Sequence, residues 1–141
     1  MDATVKNKSH LPLTAIKNKI PQMKTLFIDP NITCYYLICA LLEEFETEII
    51  YASSGKEAIN KFMKTPSINL VITEIRLPDT DGFEVLDTIR SKNHSVAFIA
   101  QTAFACKNIS QKCIEAGFDE HIFKPIDVKA FKKTIIKYLK S

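Results

Sequence analysis

Four polar side chains in this sequence stand where short apolar runs end: Asp29, Glu74, Thr102 and Lys124. Two carboxylates, a hydroxyl and an ammonium around one cleft can handle a phosphoryl group. The carboxylates can hold Mg²⁺, and the two donors can bind phosphoryl oxygens. If the apolar runs are strands of one parallel sheet, the four side chains meet at one edge and form such a cleft.

The apolar runs alternate with amphipathic stretches along the chain. The alternation predicts strands over 26–28, 48–52, 69–73, 96–100 and 120–123, and helices over 32–45, 56–64, 83–91, 107–116 and 128–139. Strict alternation is typical of α/β proteins with a parallel sheet, helices on both faces and right-handed crossovers. The functional site of such a sheet lies outside the carboxyl ends of its strands.

Local signals mark several boundaries of these elements. The apolar centre of the third strand, 70–72, suits a strand that is buried on both faces. Ser54 and Asp81 are placed to cap the N-termini of two helices. Gly117 stands where the left-handed C-cap of a helix is expected.

Composition places the chain among ordinary globular domains. Its 141 residues are 46% hydrophobic and 25% charged, which is the size and balance of one domain with a sizeable core. A disordered chain, a collagen-like repeat and a coiled coil are excluded. The chain lacks an apolar run of the ~18 residues that a membrane span needs, and we expect neither a membrane segment nor a secretory signal.

Charge is unevenly distributed. Residues 1–24 carry five lysines and one aspartate, a charge of +4, whereas the remainder carries −1. We therefore divide the chain into a basic leader, 1–23, expected to be solvated and poorly ordered, and a domain, 24–141. A basic tail can also contact nucleic acid or an acidic partner. The apolar residues of the leader have rough helical spacing. The alternative to a poorly ordered leader is therefore a short helix that docks on the domain. These residues are Leu11, Leu13, Ile16 and Ile20, bracketed by Pro12 and Pro21.

The cysteines do not form a metal-binding pattern. Cys34, Cys39, Cys106 and Cys113 include no CxxC pair, and the chain has three histidines, so a zinc site is not expected. Cysteines within apolar stretches act as small hydrophobes when reduced, which favours a cytoplasmic location.

Several motifs beyond the leader follow one another in a recognisable order. Phe-Ile-Asp-Pro-Asn ends the first strand, and a longer pattern over 71–86 contains Leu-Pro and then Asp-Gly. Thr-Ala follows strand 4, and Gly-Phe-Asp-Glu leads to Lys-Pro after strand 5. Over about residues 24–140 this order resembles the receiver domain of bacterial two-component response regulators. The resemblance implies a flavodoxin-like sheet of five parallel strands in the order 2-1-3-4-5, with two helices on one face and three on the other.

The resemblance also implies roles for the residues at the carboxyl ends of the strands. In that family an aspartate at the end of strand 3 accepts a phosphoryl group from a histidine kinase, and Glu74 holds that position here. Two acidic residues follow strand 1 in the family, and the second usually binds the metal. Here Asp29 matches the first, and Pro30 replaces the second. Thr102 and Lys124 match the residues that contact phosphoryl oxygens.

Two further positions follow from the same resemblance. The backbone carbonyl of Arg76 matches the third protein ligand of the metal. A Mg²⁺ site would thus consist of Asp29, Glu74 and Arg76, and we expect it to be weak or absent. His121, three residues before Lys124, stands at the aromatic switch position of the family.

Both departures from the family pattern act against phosphoryl transfer. Glutamate has one more methylene than aspartate, which moves the carboxylate of Glu74 about 1–1.5 Å further into the cleft. A misplacement of about 1 Å can cost ~100-fold in rate. The missing carboxylate at Pro30 weakens the neutralisation of charge by Mg²⁺. The sequence is therefore typical of a degenerate receiver, or pseudo-receiver.

Alternatives remain open at several of these positions. Glu74 is either a built-in mimic of phosphorylation, a lost site held by a salt bridge to Lys124, or a residue that is still phosphorylated. Asp29 is a residual metal ligand, an Asx-turn or a helix cap. The hydroxyl of Thr102 contacts phosphoryl oxygens or satisfies a backbone group. His121 is a pH-sensitive switch or a partly exposed residue.

Three functions follow, in order of preference. The first is a non-catalytic signalling module that contacts a histidine kinase, a phosphotransfer protein or another regulator, without direct binding of nucleic acid or membrane. The second is a working receiver that is phosphorylated inefficiently. The third, a small α/β enzyme using Glu74, Asp29 and Lys124, is disfavoured because the chain lacks a glycine-rich phosphate loop and a nucleophile–histidine pair.

Overall fold

The computed structural model describes residues 23–103 and 106–139. Within them, one parallel sheet has the strand order β2-β1-β3-β4-β5. The strands are β1 (Met23–Ile28), β2 (Thr47–Ala52), β3 (Leu70–Thr73), β4 (Ala97–Thr102) and β5 (Glu120–Phe123). The helices between and after them are α1 (Ile32–Leu42), α2 (Gly55–Lys64), α3 (Gly82–Lys92), α4 (Ile109–Ala116) and α5 (Val128–Leu139). The predicted fold class and strand order are confirmed.

Two apolar layers hold the helices on the sheet. Leu26, Val71 and Phe98 face the layer that contains the buried residues of α2, α3 and α4. The intervening residues of the same strands, such as Phe27 and Ile72, face the layer formed with α1 and α5. This alternation follows from the two-residue period of a strand and gives the predicted division of three helices and two. All four residues of β3 are buried, as expected for a central strand.

The predicted caps are in place. The side chain of Ser54 accepts a hydrogen bond from the Glu57 amide, 3.1 Å, and that of Asp81 accepts one from the Glu84 amide, 2.9 Å. Gly117 ends α4 with φ of 110°, the left-handed conformation that glycine adopts without strain.

Two predicted helix boundaries differ from the structure by more than one residue. The first helix ends at Leu42 and not at Phe45, because the Phe45 amide bonds to the Leu42 carbonyl in a tight turn that leads into β2. The fourth helix begins at Ile109 and not at residue 107, because Asn108 adopts the left-handed conformation with φ of 66°. A left-handed residue cannot continue a right-handed helix.

Two predicted strands are too short by more than one residue at one end. β1 begins at Met23, three residues before the predicted strand over 26–28 and one residue before the predicted domain. β4 ends at Thr102 rather than at residue 100, so Thr102 is the last residue of its strand. Residues 1–22 of the predicted leader, 1–23, lie outside the described residues, and its candidate helix lies there too. Among the helices that the structure describes, none combines the length and apolar character required to cross a bilayer.

Candidate functional site

Backbone pairing places the four predicted side chains at the carboxyl edge of the sheet, which we call the rim. The Glu74 amide donates to the Ile28 carbonyl, 2.8 Å, which aligns the end of β3 with that of β1. The Lys124 amide donates to the Thr102 carbonyl, 3.0 Å, which aligns the end of β5 with that of β4. The sheet register, rather than the side chains, therefore brings these positions together.

The ammonium group of Lys124 bridges both carboxylates of the rim. Its Nζ donates to Asp29 Oδ2 at 2.6 Å and to Glu74 Oε1 at 2.9 Å. The three side chains are 18%, 3% and 10% exposed, in the order Lys124, Asp29, Glu74. The predicted contact between Glu74 and Lys124 is present, and the contact between Lys124 and Asp29 is an addition that sequence reasoning missed.

Glu74 is held by further donors on its other side. Its Oε2 accepts hydrogen bonds from the backbone amides of Ile75, 2.7 Å, and Arg76, 3.3 Å. The buried side chain of Thr102 also hydrogen-bonds the Glu74 carboxylate. Of the two roles considered for the Thr102 hydroxyl, neither describes this contact, because its partner is the Glu74 carboxylate.

Opposing effects set the ionisation of this ion pair. Burial alone would raise the pKa of Glu74, but the hydrogen bonds from Thr102 and Lys124, the charge of Lys124 and the Ile75 amide together lower it. Burial would likewise lower the pKa of Lys124, but Asp29 and Glu74 outweigh it and raise this pKa well above its usual range. Glu74 and Lys124 are therefore both charged at neutral pH.

Asp29 shapes the backbone that leads from β1 into α1. Its Oδ1 accepts a hydrogen bond from the Asn31 amide, 2.8 Å, which is the predicted Asx-turn. Asn31, rather than Asp29, caps α1, because its side chain accepts from the Thr33 amide at 2.9 Å. The Asp29 carbonyl also accepts a hydrogen bond from the Tyr51 hydroxyl, 2.7 Å.

A cleft of about 590 Å³ opens over these residues. Pro30, Cys34, Arg76 and Ala103 contribute to its walls beside the ion pairs. Cys34, which sequence reasoning did not place here, has its Sγ 3.7 Å from Lys124 Nζ. Burial and then the charge of Asp29 raise the pKa of the Cys34 thiol, so the group is protonated at neutral pH. No local sequence signal marks this position, because the contact with Lys124 depends on how α1 docks on the sheet.

His121 lies outside this cleft. Its Nδ1 is 3.0 Å from Ser110 Oγ, and its ring packs edge-on against Phe123 with centroids 4.4 Å apart. Burial lowers the pKa of His121. The residue thus connects β5 to α4 and does not contact the carboxylates.

The donor set of the rim does not fit Mg²⁺. All four carboxylate oxygens of Asp29 and Glu74 already accept hydrogen bonds, and the Lys124 ammonium lies between the two groups. Pro30 has no ligand atom in its side chain, and Mg²⁺ requires near-octahedral oxygen ligands. Within 23–103 and 106–139, no cluster of three histidine, cysteine, aspartate or glutamate residues is arranged to hold a metal ion.

Comparison with known proteins agrees with this architecture. The family model described as "Response regulator receiver domain" matches residues 25–136. The chain belongs to this family. It is a receiver domain of the kind found in two-component signalling systems, a signalling module by family.

Two relatives show where such domains occur. The hybrid signal transduction histidine kinase L of Dictyostelium discoideum is 33% identical over 125 residues, covering 84% of this chain and 7% of that protein. The signal transduction histidine-protein kinase BarA of Escherichia coli (strain K12) is 28% identical over 135 residues, covering 94% and 14%. The chain thus spans only a small part of these kinases. Because the relatives include Dictyostelium, the similarity does not assign this receiver to bacteria.

Solved structures share the fold. A response regulator receiver domain protein from Clostridium thermocellum is 27% identical with a TM-score of 0.76, covering 84% of this chain and 94% of that one. The CheX–CheY–BeF3–Mg complex of Borrelia burgdorferi matches with a TM-score of 0.75 at 22% identity, covering 82% and 87%. At that identity the second match supports the fold alone.

Proposed function

We propose that this receiver is a pseudo-receiver, a non-catalytic module of a two-component system that signals by contact with another protein. Glu74 supplies a permanent negative charge where receivers of this family carry a phosphorylatable aspartate. The proposal rests on one observation: the Lys124 ammonium is shared between Glu74 and Asp29.

The donors for a phosphoryl group are already occupied. By the family pattern, Thr102 and Lys124 would contact phosphoryl oxygens. Here both hydrogen-bond the Glu74 carboxylate. A charge-assisted hydrogen bond of this kind is stronger than a neutral one. The rim therefore holds its donors in a bound arrangement without any modification, which supports a single signalling state.

Attack by Glu74 on a phosphoryl donor would have to break this arrangement. Oε1 would lose Lys124, and Oε2 would lose the backbone amides of Ile75 and Arg76. The missing ligand at Pro30 leaves the charge that develops on the phosphoryl group without metal neutralisation. We therefore expect Mg²⁺ affinity far below that of a receiver with the full acidic set, and no phosphorylation of Glu74.

The partner class follows from the family. We propose that a histidine kinase, a phosphotransfer protein or another regulator recognises the rim. Neither nucleic acid nor a membrane is proposed as a direct partner. Cys34, Cys39, Cys106 and Cys113 are all free thiols, which supports a reducing, cytoplasmic location.

Beryllofluoride, which binds receivers as a phosphoryl mimic together with Mg²⁺, tests the proposal. The measurement is the amide NMR spectrum of the ¹⁵N-labelled full chain, titrated with beryllofluoride and Mg²⁺. Wild type is expected to show no saturable shift at Ile75, Arg76 or Thr102. The matched variant Glu74→Asp/Pro30→Asp, which restores both family residues, is expected to respond. Saturable shifts at these amides in wild type would overturn the proposal.

A further inference from the structure

The loop between β3 and α3, residues 74–81, reaches across to the start of α2. The Asp79 carboxylate accepts hydrogen bonds from the backbone amides of Gly55, 3.0 Å, and Lys56, 2.9 Å. These two residues open α2, where backbone amides have no acceptor within the helix. Asp79 therefore supplies the missing acceptors from a loop that follows 23 or 24 positions later in sequence. The same hydrogen bonds lower the pKa of Asp79, so its carboxylate is charged at neutral pH.

A close steric fit accompanies these hydrogen bonds. A Cβ atom added to Gly55 would lie 2.2 Å from Thr80 Cγ2 and 3.2 Å from Val85 Cγ2. Gly55 is a helical residue, so the glycine is required by lack of space and not by its backbone conformation. The methyl group of Thr80 occupies the place that a side chain at residue 55 would need. We call Asp79 and Thr80 the loop tip.

The base of the same loop holds Glu74. The backbone amides of residues 75 and 76 both donate to the Glu74 carboxylate. Hydrogen bonds join the base of the loop to its tip and to α3. The Leu77 amide donates to the Thr80 carbonyl, 3.2 Å, and the Gly82 amide donates to the Ile75 carbonyl, 2.7 Å. Because base and tip belong to one hydrogen-bonded turn, a displacement of the tip changes the direction of the two amides at the base.

The tip and the base of the loop differ in their exposure. Asp79 is exposed and Thr80 is half-buried, whereas Glu74 is only 8% exposed. A groove of about 310 Å³ between α2 and α3 opens beside the tip. The loop therefore connects a solvent-accessible contact with a buried carboxylate.

We propose that the loop tip positions the rim. Its contact with the start of α2 keeps the amides of residues 75 and 76 on the Glu74 carboxylate, and displacement of the tip weakens these bonds. Asp79 and Thr80 are positioning residues that act on Glu74 through the loop backbone. The proposal does not depend on whether Glu74 mimics phosphorylation, because it concerns only how the carboxylate is held.

A steric change at Gly55 tests the proposal without removing a hydrogen-bonding group of the loop. In Gly55→Ala, the new methyl group collides with Thr80 Cγ2. In Gly55→Ala/Thr80→Ser, the methyl group of Thr80 is absent, whereas the hydroxyl that donates to Glu84 is kept. Amide NMR spectra of the ¹⁵N-labelled full chain compare these variants with wild type and with Thr80→Ser.

Gly55→Ala is expected to shift the amide signals of residues 75 and 76, and the double variant is expected to return them towards their wild-type positions. Thr80→Ser alone should leave them in place. The Phe98 amide, which bonds to Asp119 at the opposite edge of the sheet, should not move in any variant. Signals of residues 75 and 76 that do not respond to Gly55→Ala, or that stay displaced in the double variant, would overturn the proposal.

Asp79 provides a second test that does not rely on a steric collision. Asp79→Ala removes both acceptors of the α2 amides, and Asp87→Ala removes a carboxylate from an exposed position on α3 as the matched control. Hydrogen bonding to a carboxylate moves an amide proton signal downfield. The amide protons of residues 75 and 76 should therefore move upfield in Asp79→Ala and keep their positions in Asp87→Ala. Shifts in Asp79→Ala no larger than those in Asp87→Ala would refute the proposal.

Discussion

Two cations link distant parts of this receiver, one at each edge of the sheet. At the amino edge, Arg90 donates to the carbonyls of Val96 and Gly117 and pairs with Asp119 at 2.8 Å. At the rim, Lys124 pairs with Asp29 and Glu74. Arg90 and Asp119 side chains are 25% and 38% exposed, whereas the rim carboxylates are almost fully buried.

The difference between the networks lies in their charge balance. Arg90 contacts one carboxylate and two neutral carbonyls. It therefore holds the segment between α4 and β5 in place without excess charge. Lys124 meets two buried carboxylates, which leaves one excess negative charge. Since buried ion pairs add little net stability over apolar packing, stability alone does not explain the rim. This excess negative charge at the carboxyl edge is the feature that a partner can recognise.

Removal of the rim cation should have the largest effect. Lys124→Met leaves Asp29 and Glu74 buried without a counter-charge, which is expected to cost about 3–5 kcal/mol of unfolding free energy. Urea denaturation at neutral pH measures this. Lys132→Met, which removes the exposed pair with Glu44, is the control and should cost only ~0–1 kcal/mol. A cost for Lys124→Met as small as that of the control would show that the rim carboxylates are solvated.

Removal of the amino-edge cation should cost less. Arg90→Met leaves the Val96 and Gly117 carbonyls without this donor, but Asp119 keeps the Phe98 amide at 2.8 Å. We expect a loss of about 1–3 kcal/mol in the same urea assay. The amide NMR signals of Glu74 and Thr102 should not move. Shifts at the rim would indicate that the two networks are coupled rather than independent.

Neutralisation of Glu74 should change stability slightly and change its pH dependence. Glu74→Gln keeps an acceptor for Lys124, so the expected cost at neutral pH is about 1 kcal/mol. The pKa of Glu74 is lowered below its ordinary 4.5 in the folded state. Its contribution is thus present above that value and lost as pH falls through the folded pKa.

Urea denaturation across the acid range therefore distinguishes the two proteins. The difference between wild type and Glu74→Gln should shrink as Glu74 becomes protonated. A difference that stays constant down to the lowest pH would contradict a charged Glu74. If the charge is what the partner reads, Glu74→Gln should also weaken partner binding while the fold persists.

The smallest effect is expected at His121. Burial lowers its pKa from 6.5, so the folded state favours neutral imidazole, and stability is lost as pH falls below 6.5 towards the folded pKa. His121→Phe should remove this dependence and change the unfolding free energy at pH above 7 by less than about 1 kcal/mol. Thermal melts between neutral and mildly acidic pH measure the slope. An unchanged slope would show that His121 titrates normally in the folded domain.

Most of the fold was predictable because its signals are local. The two-residue alternation of buried faces and the caps at Ser54, Asp81 and Gly117 depend on neighbouring residues only. The two largest errors in helix boundaries also have local causes, a tight turn at Phe45 and a left-handed Asn108. Neither residue type prescribes that conformation, so apolar spacing extended both helices too far.

The rim was predictable only in part. Strand ends placed Glu74 near Lys124, and this contact was expected. Lys124 and Asp29 are 95 positions apart in sequence. Their contact depends on which side-chain rotamers the buried cleft allows. The position of Cys34 beside Lys124 depends on how α1 docks on the sheet. Contacts of this kind follow from packing, which no local pattern encodes.

Labelling with acetyl phosphate tests the central claim most directly. Wild type, Glu74→Asp and Glu74→Asp/Pro30→Asp are incubated with acetyl phosphate and Mg²⁺, and intact mass is measured. We expect no phosphoryl adduct on wild type or on Glu74→Asp, because Pro30 still lacks the second carboxylate, and an adduct on the double variant only. An adduct on the wild-type protein would contradict the pseudo-receiver account.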